Sequence, residues 1–165
     1  MERLQSSSNW MEELRTILPF LGHRNWLLIV DKAFPAQSAS GMKYIDTRQE
    51  LLPTLKDVLN EISSNASHLK PIIYTDLELL CMTDTLSAGI EELRNKINDS
   101  LKDFEVKTLL HEDVFAKLSE ASKLFEVIVL KTDTLKPYTS IFIELDCGYW
   151  SAERENQLRE NMKIG

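Results

Sequence analysis

Trp26-Leu27-Leu28-Ile29-Val30 is an unbroken apolar run closed by Asp31, and how it is read decides the fold. A strand with one face in water alternates apolar and polar residues, so an uninterrupted run of this length predicts a strand covered on both faces. Covering both faces takes a layer of helices on either side of the sheet, which makes an α/β protein. The flanking sequence agrees. Upstream, Trp10, Leu14, Ile17 and Leu18 recur at helical spacing after Ser8-Asn9, until Pro19 and Gly22 end the pattern. Downstream, residues 34–42 mix Pro, Gly and small polar side chains without a period. That is a loop leaving the carboxyl end of the strand, a position where loops often carry ligands.

The alternation of strand and helix continues along the chain. Thr47 is a candidate cap for a helix over about 47–64, with Pro53 in its early part, where proline is better tolerated. A short strand is predicted at 71–75 and a helix over 84–101, with Thr85 or Ser87 near its start. Strands follow at 104–110, 127–130 and 140–145, with a helix over 111–124 and a polar turn over 132–137. Ser151 opens a charged C-terminal helix. No repeat, linker or shift in composition divides the 165 residues. The expectation is one domain over 1–165, a three-layer α/β/α sandwich with a largely buried sheet.

Composition narrows the function. A chain that is 43% hydrophobic and 27% charged is neither disordered nor fibrous. Its 19 basic against 26 acidic side chains give a net charge of −7, which repels nucleic acid and anionic membrane surfaces. No apolar run approaches the roughly 20 residues that span a bilayer. Met1-Glu2-Arg3 leads into polar Gln5-Ser6-Ser7-Ser8 where a secretory signal would be apolar, so a cytoplasmic location is expected. Cys81 and Cys147 are far apart, without a Cys-x-x-Cys pair or a histidine at zinc spacing. They are expected to be two buried free thiols. Glycine-rich dinucleotide and phosphate loops, His-Glu-x-x-His and Gly-x-Ser-x-Gly are all missing from the sequence. What remains is acid–base chemistry on a neutral ligand, or binding without turnover.

Three histidines could take part. His23 directly precedes the buried strand and Asp31 directly follows it; at about 3.3 Å per residue the two cannot meet along one strand. A site between subunits, or loops folding back, would bring them together. The ordinary alternatives are a helix-end histidine bonded to backbone carbonyls and a carboxylate capping loop amides. His111 opens a helix, and Lys107 alternates to the same side if the preceding strand runs on. Tyr138-Thr139-Ser140 sets a phenol and two hydroxyls at a loop–strand junction, groups that suit a neutral polar ligand and are also common in turns. His68 lies in a polar connection and reads as a surface residue.

Two blocks resemble a known family, the ribose pyranase and fucose mutarotase group of bacterial sugar-metabolism proteins. Gly22-His23-Arg24-Asn25, the strand, Asp31 and Phe34-Pro35-Ala36-Gln37-Ser38 are similar to that family's Gly-His-x-Asp, strand, Asp, Phe-Pro-Ala-x-Ser signature. Residues 115–129, 132–134 and Tyr138-Thr139-Ser140 resemble its penultimate helix, strand and Tyr-x-Asn ending. The likeness spans roughly 15–148 and leaves 149–165 as a helical extension. It implies interconversion of the ring forms or anomers of a ribose- or fucose-like monosaccharide, with neither metal nor organic cofactor. It also implies homo-oligomeric rings, pentamers, decamers or related, with sites between subunits. His23, Asp31, His111 and Tyr138 would be the catalytic residues, with Lys107, Ser140, Gln37 and Asn25 binding substrate. Asn25 and Ser140 stand where the family has Asp and Asn, and Lys32 where it has a small residue. Serine is shorter than asparagine and lacks its two amide donors. The other readings are a non-catalytic monosaccharide-binding or regulatory protein on the same scaffold, and an oligomeric interaction protein without a sugar site.

Overall fold

The computed structural model describes residues 9–163. In chain order the elements are α1 (Trp10–Ile17), β1 (Trp26–Val30), β2 (Met42–Asp46), α2 (Leu51–Asn65), β3 (Leu69–Asp76), α3 (Ile90–Ser100), β4 (Glu105–Leu109), α4 (His111–Ala121), β5 (Val127–Lys131), β6 (Ile141–Cys147) and α5 (Ala152–Met162). Single 3-10 turns follow α1 at Leu18–Phe20 and β3 at Leu77–Cys81. The six strands form one sheet in the order β2-β5-β1-β6-β3-β4. β1 runs parallel to β5, β5 to β2 and β3 to β4, while β6 is antiparallel to both its neighbours, β1 and β3.

All five residues of β1 are buried, as their unbroken apolar character requires. Leu27 and Ile29 face one side with Ile128, Leu130, Ile141 and Ile143, against Trp10 and Leu14 of α1, Leu55 and Val58 of α2 and Ile97 of α3. Trp26, Leu28 and Val30 face the other side with Val127, Val129, Tyr74 and Phe142, against Val114 and Leu118 of α4 and Phe34 of the loop after β1. The expected three-layer α/β/α sandwich is therefore the observed one. Its second helical layer is thin, with α4 the helix that buries residues there.

Several local expectations are corrected. Met42–Asp46, where the sequence pattern predicts no strand, forms the edge strand β2. Only Met42 and Ile45 of it are buried, a pattern without the alternation that marks a strand. Thr47 does not open a helix: its hydroxyl donates to the Lys131 carbonyl at 2.7 Å, Arg48 takes a left-handed φ of 54°, and α2 begins at Leu51. The stretch 84–101 is helical only from Ile90. Ahead of α3, Asp84 and Glu91 exchange hydrogen bonds, each carboxylate accepting the other's backbone N–H at 3.0 and 2.9 Å. α4 stops at Ala121, three residues early. Cys81 is exposed and Cys147 half-buried, both free, rather than two buried thiols. His68 is half-buried, its Nε2–H donating to the Leu21 carbonyl at 3.0 Å. No described helix is long and apolar enough to cross a membrane.

Candidate active site

Strand register sets the site. Ile141, the first residue of β6, pairs with Ile29 of β1 on one side and Thr75 of β3 on the other. Just beyond these pairs, the strand ends bring Asp31, Ser140 and Asp76 into a row along one end of the sheet. Asp76 pairs with Leu109 of β4, and two residues later His111 opens α4. The chain thus delivers an imidazole beside a row of polar groups.

Within the row, Asp31 and Ser140 bond reciprocally. The Asp31 N–H donates to Ser140 Oγ at 3.1 Å, and the Ser140 hydroxyl donates to Asp31 Oδ1 at 2.9 Å. Ser140 is buried, so its hydroxyl serves Asp31. His111 Nδ1 lies 2.8 Å from Asp76 Oδ2, and the Asp76 side chain is fully buried where that of His111 is 32% exposed. Burial raises the Asp76 carboxyl to about 6, the imidazole of His111 opposes that rise, and the Glu78 and Asp31 carboxylates add to it. Glu78, in the 3-10 turn after β3, accepts the backbone N–H of His111 at 3.0 and 3.2 Å from its two oxygens.

Aromatic rings fix the imidazole from the sides. Phe115 lies edge-on at 4.6 Å and Tyr138 at 5.5 Å between centroids, and Phe34 stacks behind Phe115 at 5.4 Å. Tyr138 takes a left-handed φ of 62°, a conformation that costs a non-glycine residue about 1–2 kcal/mol. The Thr139 hydroxyl, donating to the Lys136 carbonyl at 2.8 Å, helps hold the turn. Asp31, Phe34, His111 and Tyr138 line a cleft of 230 Å³ closed by Pro35 and Pro137. That is below the roughly 300–1,000 Å³ of pockets for drug-sized molecules.

Of the residues singled out in the sequence, Asp31, Ser140, His111 and Tyr138 come together within one chain. His23 stands at the opposite end of β1, largely exposed, with Nδ1 2.7 Å from Asp146 Oδ1. It borders two larger clefts, one of 610 Å³ with Trp26, Leu124 and Phe125 and one of 560 Å³ with Tyr149 and Trp150. The second of these also holds the His23–Asp146 pair, which is largely exposed, whereas the Asp76 carboxylate that His111 meets is buried. Asn25 has a structural part, accepting the Gly22 N–H at 2.7 Å and donating to the Glu126 carbonyl at 3.2 Å. The Gln37 N–H donates to the Tyr44 hydroxyl. Lys107 does not share a strand side with His111, because β4 has ended before His111. It lies 3.6 Å from Glu105 and over the Tyr74 ring at 5.8 Å. Among the described residues no group of three His, Cys, Asp or Glu side chains is arranged to hold a metal ion.

Asp76 and Glu78 are the site residues that sequence reasoning missed. A signal existed: Ile72-Ile73-Tyr74-Thr75-Asp76 ends an apolar strand on aspartate just as Leu28-Ile29-Val30-Asp31 does.

Over most of its length the chain superposes on solved structures. RbsD of Bacillus subtilis complexed with D-ribose matches with a TM-score of 0.55 at 19% identity, over 81% of this chain and 91% of that one. The fold is that of RbsD and FucU. FucU of Bifidobacterium longum matches at 0.52 and 17% identity, over 82% and 94%. The fucose mutarotase of Streptococcus pneumoniae in complex with L-fucose matches at 0.50 and 19%, over 81% and 91%. No protein-family model and no curated protein matches the sequence.

Proposed function

We propose that the protein interconverts ring forms or anomers of a monosaccharide by general acid–base catalysis at the cleft of Asp31, His111 and Tyr138, without a metal or organic cofactor. The observation that carries this reading is the Asp76–His111 pair, whose imidazole lines a small cleft together with Asp31 and Tyr138, on a fold whose solved examples hold D-ribose and L-fucose. Ring opening removes the proton of the anomeric hydroxyl while the ring oxygen gains one. As the O–H pair becomes the second C–O bond of the carbonyl, the bond from C1 to the ring oxygen breaks. His111 Nε2 is the base for the first proton. The Tyr138 hydroxyl, or His23 of a neighbouring copy, gives the second, and closure on the other face of the carbonyl reverses both transfers. Asp31, held by Ser140, accepts a sugar hydroxyl. Acid–base catalysis of this kind contributes about 10²–10⁴-fold, enough for a reaction that water already performs slowly.

In this reading His23, Asn25, Gln37 and Lys107 reach a site only across a boundary between copies, in a ring-shaped homo-oligomer. The single sheet supports reading the chain as one domain with a helical extension over 149–165, which this reading places in the cytoplasm. NMR saturation transfer between the anomers of a panel of aldoses tests the function. We expect faster exchange for one sugar and loss of that acceleration in His111→Ala; no acceleration for any aldose overturns the catalytic reading. The inward turn of Ser140 onto Asp31 supports a second reading, a monosaccharide-binding protein without turnover. Saturable shift changes without exchange would establish it.

A further inference from the structure

Two carboxylates two residues apart, Asp76 at the end of β3 and Glu78 in the turn that follows, both end on His111, one on its ring and one on its backbone. Neither lines the cleft. We propose that Asp76, with Glu78 as its backbone counterpart, is the positioning residue of the site: it holds the His111 ring with its proton on Nδ1, so that Nε2 meets the ligand as a lone pair. This inference rests on the reading of His111 as the base.

An ionised carboxylate only accepts, so the 2.8 Å contact places the proton on Nδ1. A neutral imidazole carries one proton, which leaves Nε2 an acceptor. Nε2 has no hydrogen-bond partner among the described residues. The backbone contact fixes the rest. Leu110, the cap position of α4, offers no side-chain bond to the first-turn N–H groups, and Glu78 takes that role with both oxygens. The turn carrying Glu78 is pinned in turn by Arg94 of α3, whose Nη1 donates to the Leu79 and Met82 carbonyls at 3.1 and 2.7 Å. Ring and backbone are thereby set from one segment, and Phe115 and Tyr138 restrict rotation about the side-chain bonds. Asp76 Oδ1 is buried without a partner among the described residues. Such an atom costs stability, and a core aspartate with no task would be replaced by an apolar residue at a gain.

Long-range ¹H–¹⁵N NMR of the three histidines in the intact protein, at a pH where they are neutral, reads the tautomers directly without any sugar. His111 is expected with its proton on Nδ1; a proton on Nε2 in the unaltered protein overturns the proposal before any variant is made. In Asp76→Asn the new amide can donate to Nδ1, so the proton is expected to move to Nε2. Anomer exchange should then fall about a hundredfold or more in kcat with KM within about threefold. A flipped tautomer with exchange unchanged overturns the positioning role. If Asp76→Asn does not fold, Glu78→Gln takes its place: His111 keeps its tautomer while its ring signals broaden or shift, and unmoved signals count against the clamp. An Nδ1–H tautomer in a protein that accelerates no aldose removes the sugar reading and leaves the orientation of His111 standing.

Discussion

Asp76, behind the cleft, has the least ordinary environment of any residue that touches His111. Its carboxyl is raised to about 6 from 3.8 by burial, against the pull of His111. Linkage fixes the sign of the effect. Between those two values the folded chain binds more protons at this group than the unfolded chain, so its contribution is fully present below about 3.8 and lost as pH rises through about 6. Urea unfolding of Asp76→Asn beside the unaltered protein measures it. The stability difference, unaltered minus variant, is expected to shrink steadily from pH 4 to pH 6.5, and a flat or growing difference contradicts the assignment. Ser140 shows a subtler effect of side-chain length. Where the resembling family carries asparagine, serine turns back onto Asp31.

At the scale of elements, close approaches of backbone decide what the thin helical layer can tolerate. Gly41 enters β2, and its carbonyl accepts the Val127 N–H at 2.8 Å. A Cβ there would run into the carbonyl oxygens of Ser122 and Phe125. Gly41→Ala is therefore expected to cost about 1–3 kcal/mol, read as a lowered urea midpoint with an unchanged slope. The same element shows what sequence can and cannot reveal. β1 and β5 were legible because burial on both faces leaves only apolar residues. β2 was not, since an edge strand spends Lys43 and Tyr44 on solvent and keeps just two residues inside. Thr47 misled because a hydroxyl that could cap a helix closes a strand pair instead. In and beneath the cleft, Asp31, His111, Tyr138 and Ser140 were legible from their places at strand and helix ends. Asp76 and Glu78 were not, because their meaning depends on pairing with a histidine more than thirty residues away.

For the whole molecule the two ends of the sheet are unequal. One carries the cleft of His111, the other His23 between two larger clefts. If sites join unlike ends of neighbouring copies, the ends are separable by mutation. His23→Ala and His111→Ala are each expected to be inactive, and subunits of the two variants unfolded together and refolded should recover anomer exchange. Inactive mixtures containing both subunits place each whole site within one chain. The position of β6 bears on how such a molecule comes to exist. It is the last of the six strands in the chain, yet it lies between β1 and β3 and joins the β2-β5-β1 half to the β3-β4 half. During synthesis both halves must wait with an unpaired apolar edge facing the cell, because the strand that seals them emerges after every other. Long-range pairings of this kind fold slowly and expose sticky surface meanwhile. The interval between making β3 and making β6 is therefore when the chain is most exposed to aggregation and depends most on chaperones.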